Sequence, residues 1–171
     1  MTHKTTELLK AIVILPGTAL IYIPAIILYV TGSWNFLGGW SFPLALIPLA
    51  GGLFLILASL FFMIRTMTLF LTVGDGTPAP WAPPKRFVVK GPYCYVRNPM
   101  LLSALVMILG EVILSGSWPM FVWFMAFWVI NTIYFIFFEE PGLVKRFGND
   151  YINYTKHVSR WIPRLTPWEK G

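Results

Sequence analysis

Lys90-Gly91-Pro92-Tyr93-Cys94-Tyr95-Val96-Arg97-Asn98-Pro99-Met100 is a polar, aromatic and basic stretch set between strongly apolar runs. Further along, another apolar run stops abruptly at Glu139-Glu140. A cationic loop and a carboxylate pair at the same water-facing edge of a membrane chain point to a polar, zwitterionic ligand held there. This pairing places helices on either side of the loop and puts the chemistry at one end of them.

The composition supports that frame. Of 171 residues, 57% are hydrophobic and 17% aromatic, while only 12% are charged. A soluble domain of this length needs more surface charge. The apolar residues also lie in long blocks. The chain therefore reads as a single all-α integral membrane domain with little outside the bilayer. The net charge is +6, and the basic residues flank apolar blocks, so anionic lipid headgroups are the expected partner rather than nucleic acid. The single cysteine, Cys94, excludes an internal disulfide. His3 and His157 lie in opposite tails, and no Cys/His cluster exists, so no metal is expected.

Four spans are expected. The first runs from about Ala11 to Val30 and contains Pro16, Gly17 and Pro24, which lipid-embedded helices tolerate. It is too long for the core of a signal peptide. The second runs from about Phe42 to Ile64 and extends towards Val73. A proline- and glycine-rich loop follows. The third, from about Pro99 to Leu114, and the fourth, from Met120 to Phe138, form a hairpin about the turn Ser115-Gly116-Ser117-Trp118-Pro119. The third spans only about 24 Å. Residues 1–73 thus supply two N-terminal spans, 74–98 a cofactor loop, 99–138 the hairpin and 139–171 an amphipathic C-terminal segment. All thirteen Lys and Arg lie at the N-terminus, about the loop between spans two and three, or in the C-terminal tail. The positive-inside rule then puts both termini and the loop in the cytoplasm. In the tail, Leu143, Phe147, Tyr151, Tyr154, Val158 and Trp161 recur at helical spacing, as in a helix lying on the interface. Pro141 suits the first turn of that helix.

Several polar residues carry two readings each. Glu139 and Glu140 are either a solvated helix end or a counter-charge for an ammonium or sulfonium, with only one of the pair facing a site. Arg97 is either a snorkelling headgroup contact or a guanidinium that orients carboxylates. Asn98 suits an N-cap, or an amide presented to a purine. Tyr93 and Tyr95 are interfacial rings, or rings that stack on a base. Glu111 and Asn131 lie where they can meet inside the hairpin, as structural glue or as a functional intramembrane carboxyl.

Residues 91–100, Gly91-Pro92-Tyr93-Cys94-Tyr95-Val96-Arg97-Asn98-Pro99-Met100, are similar to the Gly-x-Tyr-x-x-x-Arg-His-Pro-x-Tyr signature of the isoprenylcysteine carboxyl methyltransferase and phospholipid N-methyltransferase superfamily. Glu139-Glu140, Phe147-Gly148-Asn149-Asp150-Tyr151 and Arg160-Trp161-Ile162-Pro163 resemble its carboxy-terminal elements, in order. The resemblance runs from about Lys85 to Pro163. It implies S-adenosylmethionine as cofactor, at the cytoplasmic membrane edge, with a lipophilic or lipid acceptor arriving from the bilayer. Carried over by position, the cofactor contacts are Lys85, Arg86, Phe87, Val88, Tyr93, Asn98, Pro99, Met100, Leu101, Glu139 and Glu140. Arg97 and Glu139 are the residues expected to carry the catalysis. The chain departs from the pattern at Asn98, where His is usual, and at Leu101, where Tyr is usual. Phe135 stands where the isoprenylcysteine enzymes place an Arg against the substrate carboxylate.

Methyl transfer from a sulfonium needs alignment and exclusion of water more than a protein nucleophile. The lack of a Ser/His/Asp or Cys/His set accords with it. The competing readings are an NADPH-dependent sterol-type membrane reductase, which shares a similar loop, and a non-enzymatic membrane scaffold or transporter subunit.

Overall fold

The computed structural model describes residue 14, residues 16–75 and residues 84–169, apart from the side chains of Phe36 and Phe70. The start of the first expected span (Ala11 to Val13, and Leu15) and the loop residues 76–83 lie outside the described residues. Everything regular among the described residues is helical, and no strand forms.

Helix α1 (Thr18–Thr31) opens with a π-helical segment, Thr18–Tyr22, and ends at Gly32 in the left-handed region. Helix α2 covers Leu46–Thr72, later in starting than the apolar composition suggested, because Ser41 to Ala45 form turns. Helix α3 covers Pro99–Ser115 and α4 covers Trp118–Tyr134. Helix α4 begins at Trp118 rather than Met120: Pro119 sits in its first turn, where it sacrifices no hydrogen bond, and the Met120 amide bonds the Ser117 hydroxyl at 3.4 Å. A π-helical segment, Phe135–Glu139, carries α4 directly into α5 (Glu140–His157), with Pro141 in the first turn of α5 as its position predicts.

Among the described residues, two helices are long and apolar enough to cross a membrane: Leu46–Leu69, and the apolar part of the continuous stretch Trp118–His157. Few of their side chains are buried within the chain, which suits lipid-facing helices rather than the core of a soluble protein. Helices α1 and α3 are apolar but shorter.

The chain divides into two units, Met1–Phe61 with Ser103–Val129, and Phe62–Leu102 with Ile130–Gly171. In the first, α2 and α3 approach backbone to backbone at Gly52 and Gly110. A Cβ added at Gly52 would lie 3.0 Å from the Gly110 carbonyl oxygen, and one at Gly110 would lie 2.9 Å from that of Gly52. Small residues are what let helices meet this closely without a hydrophobic drive between them. Gly116 has a positive φ of 58° and fits under Asn35 and Gly38, so the turn between α3 and α4 accepts no larger residue. The Trp123 indole donates to the Ala19 carbonyl, tying α4 to α1. Ile108 and Met120 are fully buried here. Glu111, in α3, is half-buried, and its Oε2 is buried with no hydrogen-bond partner.

The second unit is built on aromatic rings. Tyr151, Tyr154 and Val158 of the α5 region are buried against Phe87, Val89, Leu143, Phe147 and Trp168. The apolar stripe of the tail is therefore spent largely on the chain's own loop. Trp161, counted in that stripe, lies beyond the helix, and its indole donates to the Thr132 hydroxyl at 3.1 Å. Gly148 permits this packing. Its φ of 55° and ψ of −132° kink α5 between Phe147 and Tyr151, a conformation open essentially to glycine alone. Phe87 then meets three rings, with centroids at 5.2 Å (Phe147), 5.8 Å (Tyr151) and 5.3 Å (Tyr154).

Candidate active site

The site is assembled wholly within the second unit. Its loop begins with Lys85 and Arg86, exposed, whose amides both bond the Gly74 carbonyl. Val88 is buried. The 3₁₀ turn Gly91–Cys94 then brings Tyr93 inward, where it is 7% exposed. The Tyr154 hydroxyl donates to the Tyr93 carbonyl at 2.6 Å. The C-terminal tail closes over the same turn: the Arg164 amide bonds the Tyr95 carbonyl and the Trp168 amide that of Cys94, both at 2.9 Å.

Arg97 follows. Its amide bonds the Ser159 carbonyl at 2.9 Å, and its guanidinium reaches Glu140 Oε1, also at 2.9 Å. The same carboxylate takes Arg160 through Nε to Oε1 at 2.8 Å and through an η nitrogen to Oε2 at 2.9 Å. Bidentate, charge-assisted pairing of this kind fixes direction as well as distance. The three side chains are between 12% and 23% exposed, so solvent screens them only in part. The basic loop thus meets the acidic end of the last span, as the sequence implies. Arg160 is the partner that sequence reasoning missed as a charge. Its place near a closing Pro is visible in the sequence, but nothing in the spacing shows that the chain turns back at Val158 to reach Glu140.

Glu139 goes elsewhere. It is half-buried, in contact with the Tyr134 hydroxyl. The two adjacent carboxylates therefore have different surroundings, one held between two guanidiniums and one not. Pro99 is buried, and Asn98, Met100 and Leu101 are half-buried at the start of α3. The Asn98 carbonyl accepts from the Leu102 amide, as an N-cap position requires. Its side-chain Nδ2 is buried with no hydrogen-bond partner, and so is Arg97 Nε. Phe135, in the π segment, packs edge-on against Trp161.

Burial dominates the electrostatics of the tyrosines. It raises Tyr93 well above its ordinary value, with Tyr154 adding to the effect. Burial likewise raises Tyr154. It pushes Tyr151 up to about 12, aided by the Glu140 charge and opposed by Arg97 and Arg160. All three hydroxyls stay neutral donors across the physiological range.

Residues 40–150 match the phospholipid methyltransferase family, well over half of the chain. The chain belongs to that family. No similar sequence was found among the curated proteins. Membership carries methyltransferase activity and membrane association, and it gives no support to the reductase reading. The family match takes in α2, which the motif resemblance did not reach, and it stops short of Tyr154 and Arg160. Among the described residues, no group of His, Cys, Asp and Glu is arranged to hold a metal ion.

Proposed function

We propose that this protein is an S-adenosylmethionine-dependent methyltransferase of the membrane, acting on a lipophilic acceptor that enters from the lipid. The observation that carries the proposal is the Glu140 clamp, which joins the 91–98 loop to the end of the last span through Arg97 and Arg160.

The residues fit such a cofactor. Two buried donors, Asn98 Nδ2 and Arg97 Nε, have no partner, and buried donors are seldom left so unless a ligand completes them. They suit the acceptor atoms of a nucleoside or an amino-acid carboxylate. Lys85, Arg86, Phe87, Val88, Tyr93 and Asn98 to Leu101 form the cofactor's surroundings, with Glu139 and Glu140. When bound, the cofactor supplies a methyl group on a sulfonium sulfur, which passes to the acceptor nucleophile as the carbon–sulfur bond breaks. Glu140 holds Arg97 in place. With Glu140 neutralised, Glu139 is the carboxylate of the pair left to face a cation. The Phe87, Phe147, Tyr151 and Tyr154 rings exclude water from one side. The π segment at Phe135–Glu139 also favours this assignment, since such segments recur at functional sites.

Four spans with both termini and the loop in the cytoplasm complete the proposal, in one membrane domain. The two long apolar helices support it, as does the charge distribution. Phe135 in place of an Arg favours a lipid acceptor over a prenylcysteine carboxylate.

Calorimetric titration of the purified protein tests the reading. S-adenosylmethionine is expected to bind, and Asn98→Ala and Glu139→Gln each to weaken it about tenfold. Heat from NADPH and none from S-adenosylmethionine would discard the proposal.

A further inference from the structure

A cleft of about 450 Å³ opens beside the Glu140 clamp, lined by Arg97, Lys156, His157 and Arg160. The volume lies within the range of about 300–1,000 Å³ usual for ligand sites. Among the described residues, no carboxylate lines it. Glu140 takes one η nitrogen of Arg97 and one edge of Arg160, which leaves further donors on both guanidiniums. His157 Nδ1 lies 2.9 Å from the Asn153 carbonyl, an acceptor, so Nδ1 carries the proton and its ring is held against Trp168. Trp161 and Ile162 also line it, beside Thr155, Val158 and Ser159, and Ile162 is 77% exposed. Cations bordered by a half-buried tryptophan and an exposed isoleucine match an oxyanion attached to a lipid better than a soluble polyanion.

We infer that this cleft seats the phosphodiester of a membrane phospholipid, with Lys156 and Arg160 as its charged contacts. The inference rests on the methyltransferase reading for its lipid acceptor, and it adds a site for the headgroup whose charged contacts, Lys156 and Arg160, lie outside the residues given to the cofactor, with Arg97 bordering both. It also gives the C-terminal Arg160-Trp161-Ile162 turn a ligand, where the clamp alone uses only Arg160.

The probes are dihexanoyl phosphatidylethanolamine, dihexanoylglycerol and inorganic phosphate, each titrated calorimetrically into the full-length protein in detergent. The phospholipid is expected to bind, and dihexanoylglycerol is not. Lys156→Glu, at an exposed position, is expected to weaken the phospholipid about tenfold while Lys156→Arg restores it. S-adenosylmethionine affinity and melting temperature are expected to stay the same in both variants. Equal affinity for the phospholipid and dihexanoylglycerol overturns the inference, and so does unchanged affinity in Lys156→Glu. Inorganic phosphate binding as tightly as the phospholipid also overturns it, by assigning the cleft to a free oxyanion. Lys156-dependent phospholipid binding without any S-adenosylmethionine binding leaves the cleft standing and removes the methyl-transfer reading.

Discussion

At the scale of single residues, Glu140 and the tyrosines decide most. Glu140 is shared by two guanidiniums in a partly buried setting, so its loss strands two cations. Glu140→Gln is expected to cost about 1–3 kcal/mol, between the limits for exposed and buried pairs. It is also expected to weaken cofactor binding by releasing Arg97. Thermal unfolding in detergent checks the first effect and calorimetry the second. The tyrosines give a pH dependence of definite sign. In the unfolded chain Tyr151 titrates near its ordinary 10.0, whereas in the folded protein it holds its proton up to about 12. Its contribution is complete below pH 10.0 and is lost as the pH climbs towards about 12. The melting temperature is therefore expected to fall over that interval, and Tyr151→Phe to flatten the fall. A curve equally steep in the variant would refute the assignment. Arg97 and Asn98 were legible as candidates for a site because each is a polar group where an apolar helix begins. Arg160 was not, since the reversal at Val158 leaves no periodic trace.

At the scale of elements, two glycines act for different reasons and can be told apart. Gly148 has nothing within 4 Å of an added Cβ, so only its backbone conformation demands glycine. Gly148→Ala is expected to cost about 1–3 kcal/mol and to disturb the Phe87 ring cluster. Loss of the near-ultraviolet dichroism of these rings reads it out. Gly110 has an ordinary helical backbone, and an added Cβ meets Ile56 at 2.8 Å and the Gly52 carbonyl oxygen at 2.9 Å. Gly110→Ala is expected to cost about 1–3 kcal/mol by forcing α2 and α3 apart, with the ring dichroism intact. The helices themselves were readable from block length and turn residues, to within a few positions. The π segment was not, because an extra residue in a helical turn alters no composition. The stripe from Leu143 to Val158 was also readable, but a stripe does not say what covers it. Much of the cover is the Phe87–Val89 segment, which as bare sequence looks like an undistinguished piece of loop.

At the scale of the whole molecule, the pairing of basic loop with acidic helix end could be inferred from charge alone, because the membrane leaves few places for either. The closing of the tail over the 3₁₀ turn could not, because its bonds run from backbone to backbone and use no recognisable side-chain pattern. That closure has a measurable signature at Cys94. Burial raises the thiol's pKa, and Glu169 raises it further. Cys94 is expected to react slowly with N-ethylmaleimide at pH 8. Truncation after Pro163 removes Glu169 and the anchors at Arg164 and Trp168, and labelling is expected to speed up about threefold to tenfold. An unaltered labelling rate would mean that the tail does not hold the turn.

Those two backbone bonds, from Arg164 to Tyr95 and from Trp168 to Cys94, also set a timetable. During translation the turn at Gly91–Cys94 emerges first, yet it has no final partner until residue 168 clears the ribosome. The turn is therefore made well before the strap that fastens it, and it cannot take its final form until that strap has emerged.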